Sequence, residues 1–197
     1  MRFKLPWQPM RWIFYDCEII KCIGHQPGFE CVDSWGDHAN MGISCIATYS
    51  NWDNAYRIFQ ADELQQFQKL VNQSDRVVGF NSLSFDNKLC AANGLKIQTS
   101  FDLLSQTWVA AGLPPTYTKG VTIAGYSLEK LALANLGTGK SGSGSLAPVL
   151  FQQGKKHSVY MYCMNDVYLS VELLKLGWAG ELIDPANGNK LAIAKLT

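Results

Sequence analysis

At 197 residues, with 47% hydrophobic, 12% aromatic and only 17% charged side chains, the chain has the composition of one well-buried domain rather than of a disordered segment or a coiled coil. Seventeen Lys and Arg against sixteen Asp and Glu leave a formal charge of +1, which excludes a strongly basic nucleic-acid coat but not a local basic patch. No run approaches the roughly 18 apolar residues that span a bilayer, and residues 1–10 lack the apolar centre of a signal peptide, so a soluble, cytoplasmic protein without membrane contact is expected.

Residues 11–15, an aromatic and β-branched run, predict a buried first strand. A polar, glycine-punctuated stretch follows over 21–40, too long for a tight hairpin and of the length that loops with a function have. Strands are predicted at 42–49 and 55–59, joined as an antiparallel hairpin by the turn residues Ser50, Asn51, Trp52, Asp53 and Asn54. Asp62 is read as the cap of a helix whose Leu64, Phe67, Leu70 and Val71 recur at helical spacing. A fourth strand at 76–80, a short helix from Asp86 to before Gly94, and a strand or turn at 100–102 come next. Ser127 caps a helix to Leu136, with Gly137 behind it. The longest helical pattern runs over 157–176 and is closed by Gly177, and a terminal hairpin is predicted over 181–193 around Asp184, Pro185, Asn187 and Gly188. The order implies an α/β fold, a mixed β-sheet flanked by helices, in a single domain over 1–197. The six Cys are irregularly spaced and several sit in apolar runs, which reads as free thiols in a reducing compartment.

Four acids occupy unusual places. Asp16 and Glu18 follow the first strand two residues apart, so in extended chain they share one side. Asp86 opens a helix just after the fourth strand, and Asp166 lies in the middle of the longest helix, where Asp has poor propensity. Each acid alone has a plain structural reading as a strand-end, cap or surface charge. Brought together, four carboxylates would oppose one another's ionisation unless a cation joined them. Hard divalent ions such as Mg²⁺ or Mn²⁺ accept such oxygen ligands, and a pair of them suits phosphodiester cleavage. Tyr162 stands four residues before Asp166 and shares its helix face, where a phenol could orient an attacking water.

The ordered set resembles the three motifs of the DEDD superfamily of 3′–5′ exonucleases, which has a ribonuclease-H-like fold. Asp16-Cys17-Glu18 matches the first motif, Asn81 to Asp86 with Phe85 the second, and Tyr162-x-x-x-Asp166 the third in its tyrosine form. The chain therefore resembles the DEDDy branch; the histidine branch would carry His where this chain has Met161. The likeness spans about residues 11–176. It implies two divalent metal ions, Mg²⁺ or Mn²⁺. Asp16 would bridge them, Glu18 and Asp166 would complete the tighter site, and Asp86 would serve the second through water. Tyr162 would position the nucleophile, and nucleoside 5′-monophosphates would leave from a 3′ end. Ile19 and Ile20 could wedge against the terminal base, and Asn81 and Phe85 could touch the terminal nucleotide. The implied partner is nucleic acid with a free 3′ end, single-stranded DNA favoured and RNA possible. The first motif departs from the usual pattern in leading into Ile19, Ile20 and Lys21. A catalytically silent nucleic-acid-binding module of the same fold, and a ribonuclease-H-like endonuclease, are the competing readings. A complete acid set speaks against the first, and the Tyr-x-x-x-Asp helix speaks against the second.

Two further patterns carry less. Gly137-Thr138-Gly139-Lys140-Ser141 imitates a phosphate-binding loop, but the required earlier Gly is Ala134 and the stretch follows a helix rather than a strand. With Lys155 and Lys156, Lys140 is read instead as a grip on a phosphate backbone; from residue 114 onward eight Lys face five acids. Cys22, His25, Cys31 and His38 have spacings that match no common zinc template.

Overall fold

The computed structural model describes residues 9–116 and 123–196; most of the N-terminal stretch read for a signal peptide lies outside them. In chain order the elements are β1 (Trp12–Ile19), β2 (Cys22–Ile23), β3 (Cys31–Val32), α1 (His38–Met41), β4 (Ile43–Ser50), β5 (Ala55–Gln60), α2 (Leu64–Val71), β6 (Arg76–Gly79), α3 (Asp86–Ala92), β7 (Phe101–Asp102), α4 (Leu103–Ala110), α5 (Leu128–Leu136), α6 (Ala147–Gln152), α7 (Lys156–Ala179), β8 (Leu182–Ile183) and β9 (Lys190–Leu191). Five strands form one mixed sheet in the order β5-β4-β1-β6-β7. The expected hairpin is β4–β5, antiparallel, and β1 lies between antiparallel β4 and parallel β6. Helices cover both faces, and the arrangement is consistent with a ribonuclease-H-like fold. No helix among the described residues is long and apolar enough to cross a membrane.

The period of two along β1 divides its side chains between two cores. Ile13, Tyr15, Cys17 and Ile19 pack with Phe67, Leu70 and Val71 of α2 and Leu89 and Cys90 of α3. Trp12 and Phe14 pack on the opposite face with Val159, Tyr162, Cys163 and Val167 of α7. Asp16 and Glu18 continue that second face, so an apolar row becomes an acidic one within a single strand.

Several boundaries differ from the expectation. Asp16 and Glu18 lie inside β1, not after it, because their backbone pairs with Ala47 and Cys45 of β4; the ladder overrides the low strand propensity of acids. The register shifts between Glu18 and Ile19, a bulge at the site end of the strand. Asp62 does not cap α2. Glu63 occupies the N-cap position, and its carboxylate accepts from the Gln60 amide instead. α7 continues past Gly177 to Gly180, whose φ of 72° closes it. Gly177 is retained because a Cβ there would stand 2.6 Å from Cδ1 of Ile193; it marks close packing and not a helix end. The 21–40 stretch holds β2, β3 and α1, and Met41 anchors it in the core. α4 and α6 were not anticipated, although Asp102 caps α4 by accepting from the Ser105 amide. The terminal hairpin is β8–β9.

Candidate active site

The cleft opens where β1 outruns its neighbour. Parallel pairing with β6 ends at Tyr15 opposite Gly79, so beyond that point one edge of β1 is bare. β6 turns away at Asn81, whose φ is 57°. That strained turn is held by the Asp102 carboxylate, which accepts from the amides of Asn81 at 3.1 Å and Leu83 at 3.2 Å. α3 then begins at Asp86 beside the bare edge. α7 crosses the other face and brings Tyr162 and Asp166 over Asp16 and Glu18. The resulting cleft, about 620 Å³, has the size of a small-ligand pocket. Asp16, Glu18, Ile19, Asn81, Phe85, Asp86, Lys140, Tyr162 and Asp166 all line it, so the structure brings the residues of the three motifs to one place, whereas Ile20, read as a second wedge, does not line it. Of the three lysines read together, only Lys140 lines it; Lys156 lies over the Phe151 ring.

Glu18, Asp86 and Asp166 are buried and Asp16 half-buried, and the four are mutually unfavourable. Burial is the largest cause raising Asp16 well above the usual carboxylate range, and Asp86 and Asp166 add to it. Glu18 is raised by burial and then by Asp16. Burial pushes Asp86 up to about 7, against the hydrogen bonds of its own backbone amide and that of Cys17. Asp166 is raised by burial and held back by Lys140. The same desolvation raises the Tyr162 phenol, with Asp166, Glu18 and Asp16 contributing, which keeps the hydroxyl neutral.

Lys140 is the one cation lining the cleft among the described residues. Its Nζ lies 2.5 Å from Oδ2 of Asp166 and 4.9 Å from the centre of the Tyr162 ring. Burial works against its charge, but Asp166, Asp16 and Glu18 outweigh that and raise its pKa. The 137–145 loop that carries it is pinned. The Lys140 amide donates to Oε2 of Glu129 at 2.5 Å, and a Cβ on Gly139 would collide with that carboxylate, while one on Gly142 would press the Tyr162 ring at 3.1 Å. The glycines of this loop thus let it lie flat against Glu129 and Tyr162; the loop is not the free tether that its composition suggests.

The residues fit a divalent cation on the chemistry of the donor set. One oxygen each from Asp16 and Glu18, with Sγ of Cys163, lie within 4.8 Å of one another. Asp166 Oδ1 and the Tyr162 hydroxyl are buried with no hydrogen-bond partner among the described residues, and the other Asp166 oxygen already binds a positive charge. These are the signs of a site shaped for a cation. Cys163 was missed in the sequence. Its spacing of three from Asp166 puts it on the same helix face, and its Sγ lies 3.5 Å from Oδ2 of Asp16. Glu129 was also missed, since nothing local to it signals a contact eleven residues away. Among the described residues no other group of three or more potential donors converges, so Cys22, His25, Cys31 and His38 do not assemble. Cys22 and Cys31 face each other across β2 and β3, and His38 packs on Phe85 at 5.4 Å.

No protein-family model matches the chain, and no curated protein matches it in sequence. Among solved structures, it is similar to the family B DNA polymerase from the hyperthermophilic archaeon Pyrobaculum calidifontis, with a TM-score of 0.60 and 17% identity. The match covers 92% of this chain and 26% of the polymerase chain, so this chain spans about a quarter of that protein's length. At this identity the likeness shows the fold alone.

Proposed function

We propose that this protein acts as one domain, a metal-dependent 3′–5′ exonuclease that releases nucleoside 5′-monophosphates from the 3′ end of single-stranded DNA, with RNA as an alternative substrate. The observation that carries the reading is the convergence of four acids from β1, α3 and α7, three of them buried, on one cleft with Tyr162 and an Asp166 oxygen that has no partner among the described residues. Asp16, Glu18, Asp86 and Asp166 would hold two divalent ions, Mg²⁺ or Mn²⁺, which acidify a water and stabilise the leaving oxygen in phosphodiester hydrolysis. Tyr162, carried on α7 with Gly142 close against its ring, would present a neutral hydroxyl that orients the water. Lys140 balances the charge of Asp166, and its ammonium would serve as a contact for a substrate phosphate. Asn81 and Phe85 border the place of the terminal nucleotide, and Ile19 borders its base. The fold likeness to a DNA polymerase accords with nucleic-acid processing.

A catalytically silent binding module is favoured by one observation, the Lys140 ammonium already seated on Asp166. The test is a time course on 5′-labelled single-stranded DNA and RNA with Mg²⁺, Mn²⁺ or EDTA, beside Asp166→Ala. Shortening from the 3′ end that needs metal and Asp166 supports the exonuclease. Binding without cleavage under every metal supports the silent module.

A further inference from the structure

The 21–40 stretch leaves one large side chain unexplained. Trp35 is 70% exposed, yet it lines the acidic cleft. Its ring meets that of Phe85 nearly edge-on, with centroids 5.7 Å apart and planes at 72°, and Phe85 directly precedes Asp86. The position is built rather than incidental. The stretch is tied down by Met41 in the core, by backbone bonds from Ile20 to Gly42 and from Lys21 to Met41, and by Gln152 of α6. The Gln152 amide binds the carbonyls of Ile20 and Glu30 and accepts from the Glu30 backbone amide. An aromatic ring this exposed gives up burial that the neighbouring core could provide, and it stands at the mouth of the site.

The charge around it selects the ligand. Residues 31–40 contain Asp33 and Asp37 and no Lys or Arg, so this rim repels phosphates and cannot serve as a backbone grip. An uncharged aromatic face suits it, and unpaired bases offer such faces because they are not covered by neighbours in a duplex. We propose that Trp35, braced by Phe85, is a stacking shelf for one nucleobase near the 3′ end of single-stranded nucleic acid. The shelf rests on the exonuclease reading for the direction of the strand. It makes an unpaired end the preferred substrate, with little regard to base identity, since every base has a π-face.

The test measures binding of fluorescent single-stranded oligonucleotides in Ca²⁺, with an abasic site moved through the last four positions, to the wild type, Trp35→Ala and Trp35→Phe. Unchanged melting temperatures confirm that the exposed substitutions leave the fold intact. Trp35→Ala is expected to weaken binding of the intact strand by roughly 5- to 150-fold, the range of one base–aromatic stack, and Trp35→Phe to recover most of it. At one position the abasic site should weaken wild-type binding by a similar factor and leave Trp35→Ala nearly unaffected. Equal affinities of wild type and Trp35→Ala, or losses that multiply independently at every position, overturn the shelf. An oligonucleotide that the wild type neither binds nor, in Mg²⁺, cuts overturns the exonuclease reading itself, and the shelf with it.

Discussion

Two sets of buried acids in this molecule are treated in opposite ways. Asp102 and Asp184 are surrounded by donors: Asp102 accepts from the amides of Asn81, Leu83 and Ser105, and Asp184 from the Tyr126 hydroxyl and the Ala186 amide. They brace turns. Glu18, Asp86 and Asp166 are also buried, with Asp16 half-buried beside them, but these acids crowd one cleft, and Asp166 keeps one oxygen with no partner among the described residues. A buried carboxylate that is fully hydrogen-bonded is structural, whereas one left short of donors stores repulsion that a ligand can relieve.

The sharpest way to break this contrast is to neutralise one member of each set. Asp16→Asn is expected to abolish cleavage while raising the melting temperature of the metal-free protein, because one repelling charge is gone; loss of folding would instead make Asp16 a brace. Asp102→Ala should do the reverse, costing about 2–4 kcal/mol in denaturant unfolding through a lost cap and unpaired amides, with metal-dependent cleavage retained at a rate reduced by the loosened Asn81 turn. Tyr162→Phe removes one hydroxyl and no carboxylate, so single-turnover rates should drop by roughly 10²-fold without disappearing. Glu129→Ala frees the Lys140 loop and should slow cleavage by a smaller factor, with an altered metal dependence in titrations.

The pH dependence of stability sharpens the contrast last. Carboxylates raised in the fold keep protons that the unfolded chain has released, so the native state binds more protons and stability falls as pH rises from the ordinary carboxylate range through about 7, where Asp86 lies. Without metal the protein should melt at lower temperature near about pH 8 than near about pH 5, and Mg²⁺ should reduce that difference by several degrees. A metal-free stability that rises across this interval would show that the four acids are braced as Asp102 is.

The site was legible in the sequence wherever local geometry decides it. Spacing of two put Asp16 and Glu18 on one side of an extended chain, and spacing of four put Tyr162 and Asp166 on one helix face. What could not be read depends on distant partners. β1 extends through its acids only because β4 pairs with them, and Gly177 is helical only because Ile193 approaches it. Lys140 looks like a mobile surface cation until Glu129 pins its backbone. Trp35 reads as part of a polar loop, since its closeness to Phe85 is set by the anchoring of Met41 and by Gln152 of α6.

The placement of β1 at the centre of the sheet has a consequence for how the chain matures. Its partners lie far along the sequence: β4 about thirty residues on, β6 about sixty, and α7 nearly one hundred and fifty. Contacts of such separation carry a loop-closure cost before they repay it, and they slow folding. The acidic end of β1 is made before the helix that carries Asp166 and waits for it. The carboxylate cluster therefore forms only once the segment that carries Asp166 is free to pack against β1.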